Sequence, residues 1–94
     1  MADRVLDKLR DLVRSRNYVM TLHAEEEMAA DGLSIFDVES TILTGRIAGR
    51  QRDRHTGERK YLVRGRTVDG SDLVEVVGKV GPTGKLVIIT VYRE

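Results

Sequence analysis

The chain predicts an α+β fold: three N-terminal helices with one short strand, followed by a four-stranded antiparallel meander. Two observations carry that prediction. Up to Gly45 the apolar residues recur at helical spacing, and beyond it they alternate with polar ones at a period of two. Turn-forming clusters then punctuate the second half, at His55-Thr56-Gly57-Glu58, Asp69-Gly70-Ser71 and Gly81-Pro82-Thr83-Gly84. At 94 residues the whole chain, 1–94, is expected to be a single domain. Two pieces of half that length could not each bury an adequate core without metals or disulfides.

The elements follow in order. Val5, Leu6, Leu9, Leu12 and Val13 lie on one helical face, so residues 1–16 are expected to form an amphipathic helix with Asp3 as its N-cap. Asn17 breaks it, and the β-branched and aromatic content of Tyr18 to Leu22 predicts a short strand. The helix formers from His23 to Asp31 predict a second helix that stops at Gly32. A third runs from Ile35 to about Leu43, with Ser34 as cap and Asp37 completing a weaker capping box. Strands are then expected over Arg46 to Arg54, Arg59 to Val68, Asp72 to Val80 and Lys85 to Tyr92. Leu86, Val87, Ile88, Ile89 and Val91 put apolar groups on both faces of the last strand, which is unsuited to an edge open to water. The first strand is therefore expected to pair beside it, with the helices on one sheet face. That pairing would bring His23 toward Thr90 or Tyr92.

Composition narrows the class. Hydrophobic residues make up 40% and charged residues 33%, which is globular, and with no tryptophan and one phenylalanine the core must be aliphatic. The absence of cysteine excludes a disulfide framework and thiolate metal sites, and it suits a reducing cytoplasm. No apolar run approaches the roughly 20 residues of a membrane span, and Met1 to Arg16 is too charged for a signal peptide. The expectation is a cytoplasmic protein with no membrane association and no cofactor. A net charge of +1 hides an asymmetry: residues 1–45 hold five Lys/Arg against nine Asp/Glu, and residues 46–94 hold eleven against six. Arg46, Arg50, Arg52, Arg54, Arg59, Lys60, Arg64 and Arg66 face only Asp53 and Glu58 within their stretch, an electropositive surface suited to a polyanion.

The segment HAEEEMAADGLS, His23 to Ser34, resembles the His-Ala-x-x-Arg-Met-x-x-Arg-Gly-Ile-Ser signature of the domain-of-unknown-function family forty-two fifty-eight. The closing IITVY, Ile88 to Tyr92, is similar to that family's terminal strand, so residues 17–94 are the family-like core and the first helix lies outside it. The resemblance implies the barnase-like and RelE-like ribonuclease fold, several members of which are toxins in toxin and antitoxin pairs. It therefore implies an endoribonuclease with RNA and an antitoxin-like protein as partners. Glu27 and Asp31 stand where the family tends to have arginines. That departure implies a weaker nuclease, or phosphate contacts moved to the later basic strands. The sequence pI of 8.1 also speaks against a ribosome-dependent toxin.

Metal-independent RNA cleavage needs a base for the ribose 2′-hydroxyl, an acid for the leaving oxygen and cations for the charge developing on phosphorus. Histidine exchanges protons near neutral pH, which makes His23 the candidate acid or base. Arg64 is the candidate for stabilising that charge, and Thr90 and Tyr92 for positioning phosphate or proton. Arg50, Arg52 and Arg54 alternate so as to share a strand face, and with Arg66 they are candidates for RNA backbone binding. Plainer roles compete with each of these: His23 as a helix-cap residue, the arginines as solvated edge protection, Thr90 and Tyr92 as ordinary strand residues. The alternative function is a non-enzymatic interaction module. Such a module would self-associate as a homodimer through an edge strand or through Val5, Leu9 and Leu12 of the first helix, or dock an acidic partner.

Overall fold

The computed structural model describes residues 3–94, and each of its three helices begins at a side chain that caps it. Helix α1 spans Arg4–Arg14, and the Asp3 carboxylate accepts hydrogen bonds from the N–H groups of Val5 (3.0 Å) and Leu6 (3.3 Å). Helix α2 spans Leu22–Ala30, with the Thr21 hydroxyl accepting from Ala24 N–H at 3.1 Å. Helix α3 spans Ile35–Thr44, and the expected capping box is complete: Ser34 Oγ accepts from Asp37 N–H, while Asp37 accepts from Ser34 N–H. Helix α2 ends in a left-handed turn at Gly32 (φ 66°), with Gly32 N–H donating to Ala29 and Leu33 N–H to Met28. Helix α1 ends in the same way without glycine, because Arg16 takes φ 58° and Asn17 N–H reaches Leu12 C=O at 2.7 Å.

The strands are β1 (Tyr18–Met20), β2 (Arg46–Arg52), β3 (Arg59–Arg66), β4 (Leu73–Val80) and β5 (Leu86–Arg93). They form one sheet in the order β1-β5-β4-β3-β2. The α+β class stands, but the sheet has five strands and is mixed. Strands β2 to β5 run antiparallel, and β1 joins β5 in parallel register, Tyr18 opposite Leu86 and Met20 opposite Ile88. Strand β1 is shorter than expected, since Thr21 leaves it to cap α2. Leu22 and His23 are consequently helical, and Leu22 is exposed. Arg54 likewise falls beyond the end of β2, in the turn before β3.

One face of the sheet carries the helices. Val63, Val74, Val76, Leu86, Ile88 and Val91 are buried in a single cluster with Leu6, Leu9, Val13, Val38 and Ile42. Each such aliphatic side chain contributes about 1.5–3 kcal/mol when fully buried. Leu9 thus lies in the chain's own core, with Val5 and Leu12 packed against that core and partly buried. Helix α3 lies close on the sheet because Gly45 and Gly65 have no side chains; a Cβ at Gly65 would collide with the Thr41 carbonyl. Arg10 locks the junction by donating from Nε to Ile42 C=O (3.1 Å) and from Nη2 to Gly45 C=O (2.7 Å). These two bonds satisfy carbonyls at the end of α3 and set where β2 begins.

Two β-bulges decide which side chains face away from the helices. Between Ile47 and Gly49 the β2–β3 register shifts by one residue, and between Ile88 and Thr90 the β5–β4 register does the same. Strict alternation from Leu86 and Ile88 would send Thr90 and Tyr92 into the core. The extra residue, Ile89, instead returns Val91 to the core and turns Thr90 and Tyr92 to the helix-free face. In β2 the extra residue, Ala48, leaves Arg46 on the helix-free face and moves Arg50 and Arg52 to the other.

Candidate functional site

The helix-free face gathers the chemistry. Arg46 pairs with Arg64, Arg64 with Glu75, and Glu75 with Tyr92, so these four residues form a row across β2, β3, β4 and β5. Arg66 lies two residues along β3 from Arg64 on the same face. Glu75 is 3% exposed although no helix covers it. The Arg64 guanidinium donates to Glu75 Oε1 through Nε at 2.9 Å and also through Nη2, and Nη2 lies 3.1 Å from Glu94 Oε1. Burial pushes the Glu75 carboxyl up, but hydrogen bonds with Glu94 and Arg64 and the Arg64 charge outweigh it and hold Glu75 below its ordinary value. The hydrogen bond to Glu75 raises Glu94, and Arg64 is raised chiefly by its hydrogen bond to Glu75. Two carboxyls sharing one guanidinium are thereby pushed in opposite directions.

Around this row the cations are less encumbered. Among the described residues Arg46 makes no ion pair, and Arg66 donates only to the Gly70 carbonyl at 3.3 Å. A cavity of about 340 Å³ is lined by Arg46, Arg64, Arg66 and Leu73 with the Thr44–Gly45 and Gly65 backbone. A second, of about 380 Å³, is lined by Gly49, Arg50, Gln51, Lys60, Tyr61, Leu62, Val77 and Tyr92.

His23 is elsewhere. It is the second residue of α2, mostly exposed, with Nε2 3.1 Å from Glu27 Oε1. Because β1 pairs with only three residues of β5, the rest of that edge would leave N–H groups open, and α2 supplies the acceptors. Glu27 Oε1 accepts from Val91 N–H at 3.2 Å and Asp31 Oδ2 from Arg93 N–H at 2.9 Å. Glu27 and Asp31 therefore close the β5 edge. His23 and Glu27 meet, but among the described residues no third His, Asp or Glu makes a metal-holding group. Thr21 completes the edge, bonding Ile88 C=O from its N–H and Ile89 C=O from its hydroxyl. His23 makes no hydrogen bond to Thr90, Tyr92 or Arg64 among the described residues. Arg64 lies two strands in from β5, about 10 Å at the usual strand spacing.

The structure thus brings Arg64, Thr90 and Tyr92 to one face and leaves His23 at its edge. The four proposed RNA-contacting arginines do not form one surface. Arg50 and Arg52 point to the helix side of the β2–β3 arm, where Arg50 pairs with Asp3 at 2.9 Å and sits 5.7 Å over the Tyr61 ring. Arg54 is in the turn, and Arg66 is on the helix-free face. Sequence reasoning missed Glu75 and underused Arg46. The available signal for Glu75 was a lone carboxylate inside the apolar run Leu73-Val74-Glu75-Val76-Val77.

Among known families, a model described as "Domain of unknown function (DUF4258)" matches residues 20–93. No curated protein and no solved structure matches the chain.

Proposed function

The chain belongs to the DUF4258 family, and from that premise we propose that it is a small ribonuclease-toxin-like protein that binds single-stranded RNA on its helix-free sheet face and cleaves it without metal. The observation that supports this reading is the row Arg46, Arg64, Glu75, Tyr92 on a sheet face left open by the helices. Helices on one face and a cationic open sheet on the other are also what the barnase-like and RelE-like fold would present. The substrate phosphate lies against Arg46, Arg64 and Arg66. Glu75, held ionised, takes the proton from the ribose 2′-hydroxyl, and the resulting oxygen attacks phosphorus. Arg64 stabilises the charge that develops on the phosphoryl oxygens. The bond to the 5′-oxygen breaks, and Glu94, which shares the Arg64 guanidinium with Glu75, delivers a proton to that leaving oxygen. The products are a 2′,3′-cyclic phosphate and a 5′-hydroxyl. Tyr92 and Thr90 flank the reacting phosphate, and His23 serves the sheet edge.

The test is incubation of purified protein with single-stranded RNA in excess chelator. Cleavage is expected, falling at least ~100-fold in Glu75→Gln and in Arg64→Ala, as for loss of a proton acceptor or of one transition-state donor. His23→Ala is expected to retain activity. Intact RNA at high protein concentration overturns the reading. RNA retained on the protein but uncut would leave a binding protein, and a salt-dependent gel shift reports that outcome.

A further inference from the structure

We propose that the helix-free face holds a two-part nucleotide site: a phosphate subsite at Arg46, Arg64 and Arg66, and beside it a nucleobase subsite built on Tyr92, Leu62 and Val77. This deepens the RNA reading above by naming the substrate unit as an unpaired nucleotide, and its phosphate half rests on that reading. The base half has its own support. Leu62, Val77 and Thr90 form the row next to the Arg64, Glu75, Tyr92 row, so the apolar cavity begins two residues of strand from the arginines. That offset is about 7 Å at the usual strand rise, the kind of span that separates a nucleotide's phosphate from its base. Tyr92 is 37% exposed, so its ring borders the cavity while remaining open to solvent. Gly49 faces Leu62 across the β2–β3 ladder and brings no side chain, which keeps the cavity open. Lys60 also lines it and adds a cation. An exposed aromatic on an apolar floor next to a cationic groove takes a stacked base with little regard to its identity, and only an unpaired base can enter.

Gly49 also provides a clean test. A Cβ built there meets only Leu62, at 3.5 Å, an ordinary contact, so Gly49→Val fills the cavity without breaking the ladder. Binding of adenosine 5′-monophosphate, ribose 5-phosphate and inorganic phosphate is measured by calorimetric titration at low salt. Wild type is expected to bind adenosine monophosphate about 10-fold or more tighter than ribose 5-phosphate, the scale of one base–aromatic stack. Tyr92→Ala and Gly49→Val are each expected to erase that preference, Gly49→Val with phosphate affinity unchanged, and Arg46→Ala to weaken all three ligands. Equal affinity of wild type for the two organic phosphates overturns the proposal, as does a preference that survives both cavity variants. Base-dependent binding without RNA cleavage would remove the nuclease and keep this site. RNA cleavage without base preference would do the reverse.

Discussion

Replacing Glu27 by alanine removes the acceptor for Val91 N–H on an edge that no strand covers. Val91 is fully buried and the Glu27 side chain is 26% exposed, so water replaces the lost bond poorly. A hydrogen bond to an ionised group contributes about 1.5–3 kcal/mol net. Asp31 makes the same contact to Arg93 in an exposed setting, where about 0.5–1.5 kcal/mol is the appropriate scale. Together the two substitutions are expected to cost about 2–4.5 kcal/mol. For a domain of this size each kcal/mol moves Tm by about 4–8 °C, so Glu27→Ala alone should lower it by about 10 °C. Urea and thermal unfolding give the global value, and amide hydrogen exchange reads the edge directly, with Val91 losing protection selectively. Glu27→Gln keeps a neutral acceptor and should recover part of the loss, whereas Glu27→Arg, which offers no acceptor, should lose at least as much as alanine. If Glu27→Ala matched wild type in stability and Val91 stayed protected, the edge-closing role would be wrong. An arginine at this position that left stability intact and strengthened RNA binding would return it to the substrate.

Gly65→Ala should destabilise by about 1–3 kcal/mol, the usual cost of overpacking, because the added methyl meets the Thr41 carbonyl and forces α3 off the sheet; unchanged urea unfolding would refute the close approach. Burial, with the hydrogen bond to Glu39 and its charge, pushes the Tyr18 phenol up to about 12. The folded state therefore holds that proton more tightly than the unfolded chain does. The resulting stability is complete below about pH 10 and is lost as pH rises through the folded value of about 12. Ultraviolet titration of tyrosinate should show a late component that Tyr18→Phe removes; its absence in wild type would contradict the half-buried Tyr18–Glu39 pairing.

Local chemistry made the helices legible from sequence. Asp3 and Ser34 cap, Asp37 closes its box and Gly32 ends α2, because a helix end can be satisfied by residues within one turn of it. The doubly apolar pattern of Leu86 to Val91 also sufficed to place β1 against β5, since an edge strand open to water could not bear it. The structure departs from the sequence expectation at Thr21 and Arg54 for a related reason: β-branched and alternating residues look like strand even where a cap or a turn takes them.

The sequence by itself determined the class, the caps of α1 and α3, the stop of α2 at Gly32, the aliphatic core and the family segment from His23 to Ser34. Only the tertiary structure decided what shares a surface. Alternation is a rule of period two, and a single extra residue inverts it. Ile89 and Ala48 are such residues, and nothing in their chemistry announces that they will bulge. They bring Tyr92 and Arg46 to one face with Arg64, and send Arg50 and Arg52 to the other. The roles of Glu27 and Asp31 were equally hidden, because the N–H groups they satisfy lie more than sixty residues away on β5 and are open only because β1 is three residues long.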